Sequence, residues 1–157
     1  LLHQKTLHWF LKLYFIIYLN KSIKNFMKDL HELIWKSAEL LYSKYSKNGD
    51  ISVVEIPIKE NRKQIVYTKL KIIDSEKYAL VFSKIGRTPE NVDIVKLLKI
   101  NYFLNYSKIA ITPDNLLCVL ATFPIETATP FETSKIIKEV AKIADDVEED
   151  ILKLDLS

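Results

Sequence analysis

The chain predicts an α+β protein built on a twisted antiparallel five-stranded sheet with helices packed on it, in the order α-β-β-β-α-β-β-α. Three observations predict this. Apolar residues recur at helical spacing near the start and at the end of the domain, five runs between them read as strands, with apolar residues sharing one face in 51–58 and 64–73, and turn residues mark the run boundaries. Nothing alternates strand with helix in the manner of a parallel sheet.

Positions 27, 30, 33, 34, 37, 40, 41 and 45 are apolar or small, so the spacing predicts a helix over 27–47 closed by Asn48-Gly49. Three strands follow. Residues 51–58 place Val54, Ile56 and Ile58 on one face, 64–73 place Val66, Leu70 and Ile72 likewise, and 77–85 are rich in Tyr, Leu, Val and Phe. Pro57 has no N–H for a ladder, which assigns its strand to an edge or to a bulge. Thr88-Pro89 is expected to open a second helix over 89–102, with a hydroxyl to cap free amides and a proline where its missing donor costs nothing. Residues 108–112 and 116–123 read as a hairpin around Pro113-Asp114-Asn115. Thr129-Pro130-Phe131-Glu132 is a capping box for a long final helix, whose inward residues are Ile136, Ile137, Val140, Ala141, Ala144, Val147 and Ile151.

Length and composition bound the function. A chain of 157 residues with 48% hydrophobic content supports one domain with a real core. Residues 27–157 form that domain. One cysteine, Cys118, makes no internal disulfide and lies in an apolar run, which fits a reducing cytoplasm and a small buried hydrophobe. Gly49 and Gly86 are the only glycines, so Rossmann and P-loop phosphate cradles are excluded.

Residues 1–26 stand apart. They carry four lysines and no acid, so setting them aside takes the net charge from +3 to −1. Their apolar run over 7–19 is interrupted by Lys12 and is too short to span a bilayer. Met27 is the only methionine, and residues 1–26 are expected to be an upstream extension outside the native protein or an extra helix. A membrane-surface role follows only if that segment is native. Because the basic average belongs to it, nucleic-acid binding is not expected. The aromatics at 67, 78, 82, 102, 103 and 106 read as core instead of stacking platforms.

No residue set points to catalysis. His3, His8 and His31 all precede the sheet and have no zinc-like spacing with Cys118, so no metal and no cofactor is expected. Asp145, Asp146, Glu148, Glu149 and Asp150 run consecutively and read as a solvated helix face. Lys84 and Arg87, beside Gly86, are a candidate anion site before the second helix. That helix is apolar on two sides. Ile94, Val95, Leu98 and Tyr102 are expected to face the sheet, leaving Val92, Ile100 and Phe103 outward as the seam of a homodimer.

The element order, the Val95-Lys96-Leu97-Leu98-Lys99-Ile100-Asn101 helix end, the hairpin of residues 109–116 and the alanine–aspartate ending of residues 137–146 resemble the type III secretion chaperone-like superfamily, which includes the YbjN-like proteins. The resemblance implies a homodimeric cytoplasmic protein that binds another polypeptide through an apolar groove, without catalysis. Within it, a domain near neutral charge fits a YbjN-like housekeeping or regulatory role. The alternative is a dedicated type III secretion effector chaperone.

Overall fold

The computed structural model describes residues 29–59 and 61–155, with side chains described to residue 150. Residues 1–26, assigned above to an extension or an extra helix, lie outside the described residues. In chain order the elements are α1 (Leu30–Leu40), β1 (Lys44–Asn48), β2 (Ile51–Lys59), β3 (Arg62–Ile73), β4 (Glu76–Arg87), α2 (Ile94–Asn101), β5 (Lys108–Ile111), β6 (Leu116–Pro124) and α3 (Pro130–Asp155). The six strands form one antiparallel sheet in the order β1-β2-β3-β4-β6-β5. The α+β class and the antiparallel sheet agree with the sequence; the strand number does not.

The sixth strand comes from the first predicted helix, which ends early. Asp29 caps α1 by accepting from the His31 amide at 2.9 Å. Its last turn is closed by Tyr42 and Ser43, whose amides donate to Glu39 and Ala38 carbonyls. Tyr42 then adopts a left-handed backbone, φ 51°, which turns the chain out of the helix. Tyr45, which helical spacing had placed on the helix, instead sits opposite Val54 in β1. Asn48-Gly49 is a hairpin turn and not a helix end: Asn48 pairs with Ile51, and Gly49 takes φ 58° between them.

Pro57 lies in an interior strand, but past the end of β1, and the β2–β3 register shifts between Pro57 and Lys59. The bulge expectation is met and the edge expectation is not. The β3–β4 hairpin turns on Asp74 and Ser75, both at positive φ, as a two-residue loop requires.

Helices α1 and α3 pack side by side on one face of the sheet. Alternation delivers Val54, Ile56, Val66, Ala79, Val81, Leu117, Val119 and Ala121 to that face. Ile137, Val140, Ala141 and Ala144 of α3 meet them, all fully buried. Leu70 and Ile72, expected in the core, are 45% and 56% exposed because the β3–β4 hairpin runs beyond the helical layer. The capping box starts α3 as predicted: the Glu132 amide donates to Thr129 Oγ1 at 3.2 Å and Pro130 occupies the first turn.

The acidic run of α3 is not uniformly solvated. Asp145 is buried beneath Arg62, whose Nη2 donates to Asp145 Oδ1 at 2.6 Å. Glu148 accepts from Gln64, and Glu149 pairs with Lys59 at 2.9 Å. These contacts fasten the C-terminal half of α3 to the β2–β3 end of the sheet. Removing the cation strands a buried carboxylate, so Arg62→Leu is expected to cost about 3 kcal/mol in urea unfolding. Arg62→Leu with Asp145→Leu should recover most of that loss, and equal loss in both variants would show that the pair is not what holds this corner.

Candidate interaction surfaces

Three surfaces emerge from the packing: the outer side of α2, a groove at the start of α1, and the sheet face opposite the helices. The second helix is shorter than predicted. Asp93, not Thr88, is its cap, accepting from the Lys96 amide at 2.9 Å. Thr88 instead donates its amide to the Asn115 carbonyl, and Pro89 accepts from Val92 in a turn, so residues 88–92 lead up to the helix without joining it.

The two sides of α2 are also exchanged relative to expectation. Leu97, Ile100 and Leu104 pack on the core. Ile94, Val95, Leu98 and Tyr102 point out, with Val95 61%, Leu98 62% and Tyr102 85% exposed. Of the seam predicted from the sequence, Val92 is half-buried, Ile100 faces inward, and Phe103 alone is exposed, its ring edge-on to Tyr102 at 5.2 Å. Spacing alone does not reveal which of two apolar stripes meets the sheet; the side facing β5 and α3 is set by tertiary anchors.

Those anchors are polar. The Asn101 side chain accepts from the Ile109 amide at 2.6 Å and donates to its carbonyl at 3.1 Å, closing the outer edge of β5. Lys96 reaches Asp150 of α3 at 2.9 Å. Beyond the helix, Glu139 of α3 accepts from the amides of Asn105, Tyr106 and Ser107 and from the Ser107 hydroxyl, at 3.3, 2.9, 2.8 and 2.8 Å. Burial raises the Glu139 pKa, but hydrogen bonds from Tyr106 and Ser107 outweigh it and hold the carboxyl below its ordinary value. Nothing in the sequence marked Glu139.

The groove, of ≈ 720 Å³, lies where α1 begins and is lined by Leu30, Ile51, Leu70 and Ile125 together with the charged Asp50, Lys69 and Lys77. His31 also lines it and bonds Ser52 Oγ through Nδ1 at 2.7 Å, as a partly packed histidine.

The predicted anion pair is not assembled at a helix start. Lys84 lies on the sheet with its ammonium 5.5 Å from the Tyr67 ring centre, and Arg87 ends β4 opposite Leu116. The α2 N-terminus is filled by the Asp93 carboxylate. Cys118 is buried, its Sγ directed at the Ala110 carbonyl, and burial pushes its thiol pKa up. None of the six aromatics read as core is buried: Tyr67, Tyr78 and Phe82 are half-buried, and Tyr102, Phe103 and Tyr106 are exposed.

The architecture is similar to structures of type III secretion chaperone complexes. A chain of the Yersinia pestis chaperone SycH in complex with a stable fragment of YscM2 matches at 13% identity and TM-score 0.48, covering 69% of this chain and 90% of that one. A chain of the HopA1–SchA chaperone–effector complex matches at 12% identity and TM-score 0.49, covering 78% and 99%. The sequence matches no protein-family profile and no curated protein. Among the described residues, no helix is long and apolar enough to cross a membrane.

A carboxyl whose folded pKa is depressed contributes stability above its unfolded pKa and loses it as pH falls through the folded value. Glu139→Gln is therefore expected to destabilise by about 1–2 kcal/mol at neutral pH. The gap to wild type should close in acid, below the folded pKa, where both side chains are neutral. Urea titrations at several pH values check this, and a gap that stays constant into acid would remove Glu139 charge from the account.

Proposed function

We propose that the protein is a non-enzymatic, chaperone-like polypeptide-binding domain that works as a cytoplasmic homodimer, its two copies joined through the outer stripe of α2. The exposure of Val95 and Leu98 on one short, well-anchored helix and of Tyr102 and Phe103 just past its end carries this reading. A contiguous apolar patch at the surface of a soluble domain favours association. A helix packing on its own symmetry mate is the economical way to cover it. The seam therefore moves from Val92 and Ile100 to Val95 and Leu98, with Phe103 retained.

The sequence resemblance to YbjN-like and type III secretion chaperone-like proteins supports a polypeptide as the partner. The groove at the start of α1 combines apolar and charged lining residues, suited to side chains of an extended segment. From residue 29 onward, 18 Lys and Arg stand against 20 Asp and Glu, a balance that favours the YbjN-like reading over a dedicated effector chaperone.

Light scattering is expected to give a dimer for the wild type. Leu98→Asp should weaken it by about 100-fold or more, because a charge is buried without a partner, while the monomer keeps its circular dichroism. Ile100→Asp strikes the monomer core instead and should lower stability directly. A monomeric wild type, or a Leu98→Asp variant that stays fully dimeric, would overturn the proposed seam.

A further inference from the structure

The sheet face turned away from α1 and α3 has no helix on it among the described residues. Strand register places Lys44 of β1, Val53 and Glu55 of β2, Lys63, Ile65, Tyr67, Lys69 and Lys71 of β3 on that side. Across the sheet it continues with Glu76, Tyr78, Leu80, Phe82 and Lys84 of β4, Cys118 and Leu120 of β6, and Lys108 and Ala110 of β5. Six lysines thus share the face with two glutamates, a net +4 on a domain that is acidic from residue 29 onward. Lys44 and Lys63 are paired with Glu55 at 3.3 and 2.7 Å. Lys69, Lys71, Lys84 and Lys108 are exposed and have no ion pair among the described residues.

At the centre of this face the Tyr67 and Phe82 rings stack, 5.4 Å apart at 24°. Lys69 reaches to 6.0 Å from the Phe82 ring and Lys84 to 5.5 Å from the Tyr67 ring. Exposed cations and half-buried aromatic rings are therefore interleaved on this face. We infer that this face binds single-stranded nucleic acid, with Lys69, Lys71, Lys84 and Lys108 on phosphates and Tyr67 and Phe82 as the stacking centre for two or three bases. The sequence argument against nucleic acid rested on a core placement of these aromatics and on the lack of a clustered basic face; the fold reverses both.

Charge and backbone geometry choose this occupant over others. A second copy of the chain would bring +4 against +4. An extended acidic polypeptide gains most of its affinity from ladder hydrogen bonds at a sheet edge, whereas the backbone of β3, β4 and β6 is already paired on both sides. A nucleic-acid strand needs no backbone partner from the sheet, because it presents phosphates and flat bases to side chains.

Fluorescence anisotropy of labelled oligo(dT) and oligo(U) 12-mers with the full chain tests the inference. Binding is expected at about 50 mM salt, with log K falling against log salt at a slope near −3 for roughly four phosphate contacts. Lys69→Ala with Lys84→Ala should weaken binding about 10-fold or more and shallow the slope by about 1.4. Tyr67→Leu should weaken binding about 10-fold with the slope unchanged. Lys138→Ala, on the outer side of α3, should bind as wild type. The inference is overturned if wild type fails to bind, if the face variants match wild type, or if duplex DNA binds as well as the single strands. Poly-glutamate competing as effectively as oligo(dT) at equal charge would also overturn it, assigning the face to acidic polypeptides. Dimerisation through α2 is a separate property, read by light scattering on the same samples, so either result stands without the other.

Discussion

The apolar stripe of α3, from Ile136 to Val147, lies across β2, β3, β4 and β6, and no other described helix is long enough to do this. An antiparallel sheet needs one face removed from water, and a single 26-residue helix with α1 beside it removes only one. Among the described residues the consequence is a sheet with one covered and one uncovered face. One face of every interior strand carries Val, Ile, Leu and Ala into the core, while the other must remain acceptable to solvent. Its lysines do that work, arching over Tyr67 and Phe82 and leaving those rings half-covered instead of buried.

The same helix sets the position of the parts that do not touch the core deeply. Glu139 near its middle gathers three backbone amides of the loop after α2, Asp150 takes Lys96 of α2, and Asp145 takes Arg62 at the opposite end of the sheet. Each of these acids lies on α3, and each partner lies on a different element. Charge on α3 therefore works as a set of fasteners placed along its flanks, with the apolar stripe between them supplying the larger share of burial. The partly exposed pairs contribute modestly each, while the nearly buried Asp145 is the one whose partner is costly to lose.

Much of this was legible in the sequence where local chemistry and tertiary context agree. The capping box at Thr129, the inward residues of α3 from Ile136 to Val147, the β5–β6 hairpin and the apolar face of β2 needed only period and turn residues, while Ile151 lies outside the described side chains. Errors fell where two local signals competed. Leu41 and Tyr45 fit a continued helix as well as a cap followed by a strand, and Asn48-Gly49 ends a helix as readily as it turns a hairpin; the left-handed Tyr42 decided between them. Thr88-Pro89 is a sound helix opening that Asp93 supersedes by capping five residues later. Burial of the aromatics was misread because period two says which residues share a face, never which face a helix covers. Glu139 had no local signature at all, since its partners lie more than thirty residues away in sequence.

An eight-residue helix such as α2 is too short to hold itself together in water, and its shape is imposed from outside. Asp93 satisfies its first turn, Asn101 ties its last residue to the edge of β5, and the Glu139 clamp fixes the chain that leaves it. Its outward stripe is thereby held before any partner arrives. Ordering costs that a flexible segment would incur on association have already been met by folding, so more of the apolar contact of Val95, Leu98, Tyr102 and Phe103 is available as binding energy. The asparagine that anchors the helix also covers the free ladder groups of Ile109, which disfavours strand addition at that point of β5. For the dimer proposed through α2, a rigid apolar helix beside a strand edge covered at Ile109 favours a face-to-face approach across the helix.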